Sequence, residues 1–258
     1  MIKLIRKLSL PVFVSSIYLF LYIPIIILIV FSFNKAQMAY NWQGFTLQWY
    51  VELFRSEEIW LVLKNSLIVA GCSTFFSLLF GVMIVYGMKE RLDFCAHLFY
   101  LPVLIPEIVL AVGFLYLFSF FKIPLGLPTI IIAHTLLGLA YSIPLIHARF
   151  AEMAEDMIEA SMDLGATQWQ TFTRIVVPFL APALLSAGLL SWIVSFDDFL
   201  IAFFCAGSAS QTLPLYIYAM VRVGVSPVIN ALAVVLLVVS CLLVLLYSSI
   251  SFKSKDIV

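Results

Sequence analysis

Charge is scarce in this chain. Of 258 residues, 14 are Lys or Arg and 14 are Asp or Glu, which is 11% charged and zero net. Soluble domains carry about a quarter charged residues, so this composition cannot clothe a water-facing surface. A neutral balance also excludes a broad electrostatic footprint for nucleic acid. Cysteine and histidine are few too, four and three. Cys72, Cys95, Cys205 and Cys241 are scattered in or beside apolar runs, with no CxxC or Cys/His cluster. They read as packing residues rather than as metal ligands or a disulfide framework. A Gly-rich phosphate loop of the Walker A type is also missing.

Apolar residues are what the chain has instead. They make up 64% of it, and the mean hydropathy is +1.14. The run from Leu8 to Phe33 follows Lys3, Arg6 and Lys7. It exceeds the ~7–15 residues of a signal-peptide core, and no small-x-small cleavage pattern follows, so it reads as an uncleaved spanning helix. A spanning helix needs ~20 apolar residues. Six runs qualify: roughly 10–33, 65–88, 97–121, 128–147, 180–206 and 229–251. The expected fold is all-α, a polytopic membrane protein with six transmembrane helices in one domain, 1–258.

Orientation follows from the Lys/Arg asymmetry. With the N-terminus inside, Lys3, Arg6, Lys7, Lys89, Arg91, Arg149, Arg174, Lys253 and Lys255 are cytoplasmic. Lys35, Arg55, Lys64, Lys122 and Arg222 stay outside. Nine against five places both termini, and the loop 148–178, in the cytoplasm. Gly71, Gly81 and Gly87 in the second run, Pro102 and Pro106 in the third, and Pro182 and Gly188 in the fifth fit close helix packing and tolerated kinks.

The loop 148–178 is one of the few polar stretches. Read as one helix over 152–165, it places Glu152, Glu155, Asp156, Glu159 and Asp163 on one face. Met153, Ala154, Met157, Ile158, Ser161, Met162 and Leu164 fall on the other. Gly165 supplies a left-handed stop, Thr167 starts a second short helix carrying Trp169 and Phe172, and Pro178 precedes the fifth run. A helix lying on the membrane surface is normally basic, whereas this one is acidic. A knob that sits in a partner's groove is the better reading.

Glu159-Ala160-Ser161-Met162-Asp163-Leu164-Gly165, followed by Ile175-Val176-Val177-Pro178, resembles the docking loop of ABC-importer permeases: E-A-A, three residues, G, nine residues, I-x-L-P. Ser161 stands for the second Ala and Val177 for Leu. Three other stretches carry the likeness along most of the chain. They are Leu21 to Val30, Asn41-Trp42-Gln43-Gly44-Phe45-Thr46, and Leu213-Pro214-Leu215-Tyr216-Ile217-Tyr218 with Val223-Gly224-Val225-Ser226-Pro227. They resemble the second permease of the spermidine/putrescine importer family. That resemblance implies a type I importer fold with a cytoplasmic coupling helix. It also implies a non-catalytic subunit in the inner membrane that passes polyamine. The partners implied are a second, different permease, two ATPase subunits that bind ATP and Mg, and an extracytoplasmic polyamine-binding protein. Glu159, Ala160, Ser161, Gly165, Ile175 and Pro178 become the expected ATPase-docking residues.

Three carboxylates fall inside apolar runs: Glu107, Asp197 and Asp198. Such groups cost ~2.5–3.5 kcal/mol at a helix centre and usually face a cavity or a partner. Glu107 lies about ten residues, or ~15 Å, into the third run. Asp197 and Asp198 lie in the outer half of the fifth, where consecutive residues diverge by ~100° and only one can point along a pore. With Trp192, Phe196 and Tyr216 nearby, they form the expected substrate pathway for a long polycation. His134 has no acid at helical spacing and reads as a packing residue. A permease for another delivered substrate (iron(III), thiamine or a sulfate-like oxyanion) stays open, although the acids argue against an anion. A proton-coupled secondary transporter would have no use for the docking loop. An aspartyl protease needs two acids that face each other from separate helices.

Overall fold

A computed structural model describes the backbone of every residue except 1, 37–40, 89–91, 209, 225 and 256–258. The side chains of residues 2–10, 12, 92–97, 155, 243, 244 and 246–255 also lie outside the described residues. Lys3, Arg6, Lys7, Lys89, Arg91, Cys95, Lys253, Lys255, Val225 and the Glu155 side chain, all used above, fall in this set.

The described residues are helical throughout, apart from loops and one isolated bridge between Asn34 and Phe45. In chain order the helices are α1 (Ile2–Phe31), α2 (Gln48–Arg55), α3 (Glu57–Gly87), α4 (Leu92–Leu104), α5 (Glu107–Phe120), α6 (Leu127–Ala151) and α7 (Glu155–Asp163). They continue with α8 (Gln168–Thr171), α9 (Val177–Asp197), α10 (Leu200–Cys205), α11 (Leu213–Val223) and α12 (Pro227–Lys255). A π-helical turn, Phe172–Val176, joins α8 to α9. The chain divides into two compact units, 1–60 with 217–258 and 61–216.

In the first unit, α12 packs against α1 and α2. Asn34, just after α1, bonds to Asn41 and Gln43. Its side-chain amide donates to the Asn41 carbonyl (2.7 Å), and its Oδ1 accepts from the Gln43 N–H (2.9 Å). Trp49 Nε1 of α2 donates to the Asn34 carbonyl at 2.7 Å. The stretch Phe13–Phe31 has a mean hydropathy of 2.6, and none of it is buried within the chain. A face that apolar needs lipid or another protein against it.

The second unit is built around α6, whose Ile130, Ala133, Leu137, Ala140, Ile143 and Ile146 are buried. One apolar cluster joins α6 to α5 and α10 through Ala111, Phe118, Ile201, Ala202 and Cys205. The other joins α6 to α3 and α9 through Val82, Val85, Val176, Leu180 and Ala187, and it takes in Met153 from the loop. Small residues permit these approaches. A Cβ on Gly138 would lie 2.2 Å from Ser77 Oγ, and one on Gly188 would lie 3.1 Å from Leu78 Cδ1. Gly81 is similarly close to Ser142 Oγ, but open space surrounds Gly87. Cys205 is buried as expected, whereas Cys241 is exposed on α12.

Each of the six apolar runs is found on a helix or a broken pair of helices, and among the described residues the third and fifth runs are broken. Four described helices are long and apolar enough to cross a bilayer, or five if a bent pair counts as one span. That pair is Leu98–Leu104 with Glu107–Phe120, bent by 111°. Pro106 explains the break, because it removes an N–H and pushes Ile105 away from helical geometry. Glu107 is therefore the first residue of α5 rather than a mid-helix acid. The fifth run is broken too. α9 stops at Asp197, Asp198 is extended (φ −65°, ψ 127°), and α10 starts afresh at Leu200.

Candidate functional site

The loop 148–178 is assembled from both of its ends. In the last turn of α6, Arg149 stacks its guanidinium 4.2 Å from the Phe179 ring, donates from Nε to the Phe179 carbonyl (3.4 Å), and pairs with Glu152. One helix over 152–165 is not what forms. α6 ends at Ala151, Ala154 is extended, and α7 begins only at Glu155. Met153 is buried at this break, in the α3–α6–α9 cluster, so the apolar side turns into the core before the helix starts.

α7 ends as the glycine foretold. Gly165 has φ +89°, the Gly165 N–H bonds to the Met162 carbonyl (2.9 Å), and the Ala166 N–H bonds to the Ser161 carbonyl (3.1 Å). This pair of bonds is the Schellman arrangement, which satisfies carbonyls left over at a helix end. Thr167 then caps α8, accepting from the Gln170 N–H while Gln170 Oε1 accepts from the Thr167 N–H. Ser161 Oγ and Thr171 Oγ1 lie 2.6 Å apart and buried, binding α7 to α8. The Ser that departs from the loop's second Ala thus has its own partner. Glu159, Ala160, Gly165 and Pro178 are exposed, Ile175 is half-buried and Ser161 is buried. Leu164 is 89% exposed and Trp169 71%, so the outer surface is apolar as well as acidic.

From α8 through the π turn and α9 the chain is one helical stretch, Gln168–Asp197. Its far end meets a cavity of about 510 Å³. The last turns of α4 and α9 supply Val103 and Val194, α6 supplies Leu137 and Tyr141, and Glu107, Asp197 and Asp198 line it together. Both helix breaks therefore deliver their acids to one place. Glu107 and Asp198 stand in the lining of this cavity together with Asp197. Each break also sets a helix N-terminus, of α5 and α10, beside the C-termini of α4 and α9. The helix ends therefore offset one another, and the carboxylates set the sign of the cavity. The lining contains no basic side chain. Such a cavity favours a cation over an anion.

The two adjacent aspartates differ sharply. Asp197 is exposed, whereas Asp198 is 6% exposed. Asp198 Oδ2 accepts from the Ala202 N–H (2.9 Å) and lies 3.0 Å from His134 Nε2, and Oδ1 accepts from the Ile201 N–H at 3.4 Å. His134 is 3% exposed and is not a packing residue without a polar partner. Its Nδ1 is 2.7 Å from Ser195 Oγ, which accepts from Ser73 Oγ at 3.0 Å. Trp192 and Tyr216 do not line the cavity. Trp192 lies against Gly71, where a Cβ would sit 3.5 Å from its ring, and Tyr216 is buried in α11. Ser195 and Tyr141 were not singled out from sequence, and His134 was read there as a packing residue. Among the described residues, no group of three or more His, Cys, Asp or Glu is arranged to hold a metal ion.

Residues 74–253 match the family profile described as binding-protein-dependent transport system inner membrane component. The chain belongs to this family. It is 37% identical over 237 residues to the spermidine/putrescine transport system permease protein PotC of Escherichia coli K12, covering 90% of each chain. It is 33% identical to the putrescine transport system permease protein PotI of the same strain, covering 85% of this chain and 82% of the relative. The fold is that of ABC-importer permeases. A bacterial ABC transporter involved in import of the acidic polysaccharide alginate superposes with a TM-score of 0.68 at 17% identity, covering 84% of this chain and 79% of that one. As a member of the family, the chain is a multi-pass membrane permease, the non-catalytic membrane component of an importer whose ATPase and binding protein are separate partners.

Proposed function

We propose that this permease passes spermidine or putrescine across the inner membrane, drawing the polycation through the acid-lined cavity while a partner ATPase supplies the work. The observation that carries the mechanism is the single helical stretch Gln168–Asp197, which has the loop at one end and the acids at the other. At 1.5 Å per residue it spans ~45 Å, so a displacement of the knob moves the cavity wall as a rigid lever. The polyamine reading is supported by two polyamine permeases among the relatives and by the sign of the cavity. A cation 4 Å from one carboxylate gains ~4 kcal/mol at an effective dielectric near 20, and neighbouring acids add to this. Tyr141 and Phe199 in the lining give aromatic faces for the ammonium groups.

Glu159, Ala160, Gly165 and the exposed Leu164 present the surface that the ATPase grips. Ser161, Ile175 and Pro178 hold its shape. In this reading the working complex is a heterodimer with a second permease, two ATPase subunits carrying ATP and Mg, and an extracytoplasmic polyamine-binding protein. Both termini and the loop 148–178 face the cytoplasm. The test is complementation. Cells lacking their own polyamine importers should take up labelled spermidine or putrescine when given this chain with its partner subunits, and should not without it. Uptake of thiamine, iron(III) or sulfate instead would overturn the assignment of cargo.

A further inference from the structure

The two adjacent aspartates invite a division of labour, and it rests on the cation-cavity reading above. Asp198 is nearly fully buried, and its carboxylate already serves three donors: two α10 amides and His134 Nε2. The other His134 nitrogen is engaged by Ser195 Oγ, and Ser195 is backed by Ser73 of α3. One assignment of protons satisfies every member: Ser73 donates to Ser195, Ser195 donates to Nδ1, and Nε2–H donates to Asp198. The chain of bonds runs from α3 through α9 and α6 to the start of α10, the wall of the cavity. Asp197, one residue earlier, makes none of these bonds and is exposed in the lining.

We propose that His134 and Asp198 are a buried positioning pair, and that Asp197 with Glu107 meets the cargo. His134 fixes the Asp198 carboxylate. Asp198 in turn holds the α9–α10 break in place through the Ile201 and Ala202 amides. A carboxylate locked by a ring that is itself hydrogen-bonded at its second nitrogen cannot swing toward a passing cation, whereas the exposed pair can. The same lock explains why the fifth run breaks where it does. Asp198 caps the new helix instead of continuing the old one.

Uptake kinetics of the full importer separate the roles, with assembly measured alongside. Asp197→Asn should raise the KM for spermidine by about tenfold, the scale of one partly solvated charge contact, with little change in maximal rate. His134→Phe keeps the volume and removes both bonds. It should lower the maximal rate by about tenfold or more, and His134→Gln, which restores a donor near the Nε2 position, should recover most of it. The double variant His134→Phe/Asp198→Asn should be no worse than Asp198→Asn alone, since groups that act through one another are not additive. Lesions that multiply, or a His134→Phe importer with parental kinetics, would overturn the positioning role. If His134→Phe does not assemble, Ser195→Ala reads the same coupling to Asp198→Asn by removing only the Nδ1 bond. Unchanged polyamine uptake in Glu107→Gln/Asp197→Asn would instead overturn the cation cavity itself, whatever His134 shows.

Discussion

Gly165 occupies φ +89°, and no heavy atom lies within 4 Å of where its Cβ would be. A side chain there would meet no neighbour within this chain, so its effect on the knob itself is backbone strain. The left-handed region costs a side-chain-bearing residue ~1–2 kcal/mol. A β-branched residue sits at the upper end of the ~1–3 kcal/mol range of strained backbone sites. The knob can shed that strain by giving up the two Schellman bonds and letting Leu164 and Ala166 move. The population that fits the ATPase should then fall by about 5- to 150-fold. Asn tolerates this conformation better than Ala, and Ala better than Val. ATPase capture and substrate-stimulated hydrolysis should therefore fall in the order Gly, Asn, Ala, Val, with insertion into the membrane unchanged. Gly113 of α5 also has open space around it but no positive φ, and Gly113→Ala is the matched control that should be silent. A Gly165→Val permease that couples like the parent would refute the reasoning.

Ser161→Ala should weaken the knob by ~1–3 kcal/mol, because Thr171 Oγ1 is left buried and unpaired. The double change Ser161→Ala/Thr171→Val should recover most of that loss in ATPase capture. Glu107→Lys puts a cation into the acid cluster and should abolish polyamine uptake in an importer that still assembles, as read by affinity purification of the partner subunits. Cysteines placed at Gln43 and Gln168 should be labelled from opposite sides of the membrane by an impermeant reagent. Labelling of both from one side would overturn the proposed orientation.

Hydropathy revealed where the helices are because the bilayer acts on each run separately. The docking knob was legible for a related reason. Gly165, Thr167 and Gln170 act on backbone groups within a few residues of themselves, so spacing carries their meaning. The breaks were harder to read. Pro106 is a local signal, but Asp198 interrupts the fifth run through His134, 64 residues away along the chain. No periodicity records such a partner. Trp192 was nominated by its nearness to the aspartates in sequence. Five residues of helix turn by ~500°, which leaves Trp192 ~140° around the axis from Asp197 and facing α3 instead. The single helix assumed over 152–165 failed because Met153 is claimed by the core between α3, α6 and α9, and a continuous helix would have pulled it out.

The central claim joins one cargo class to one mechanical link, and reconstitution tests both at once. The permease pair, its ATPase and the binding protein would be placed in proteoliposomes with ATP enclosed on the ATPase side. ATP hydrolysis would be measured with the binding protein loaded with spermidine or putrescine, or empty, alongside accumulation of labelled polyamine. Loaded binding protein should stimulate hydrolysis and drive accumulation, and Gly165→Val should lose both together while binding protein still docks. Hydrolysis unmoved by polyamine, or accumulation that proceeds without ATP, would contradict the account.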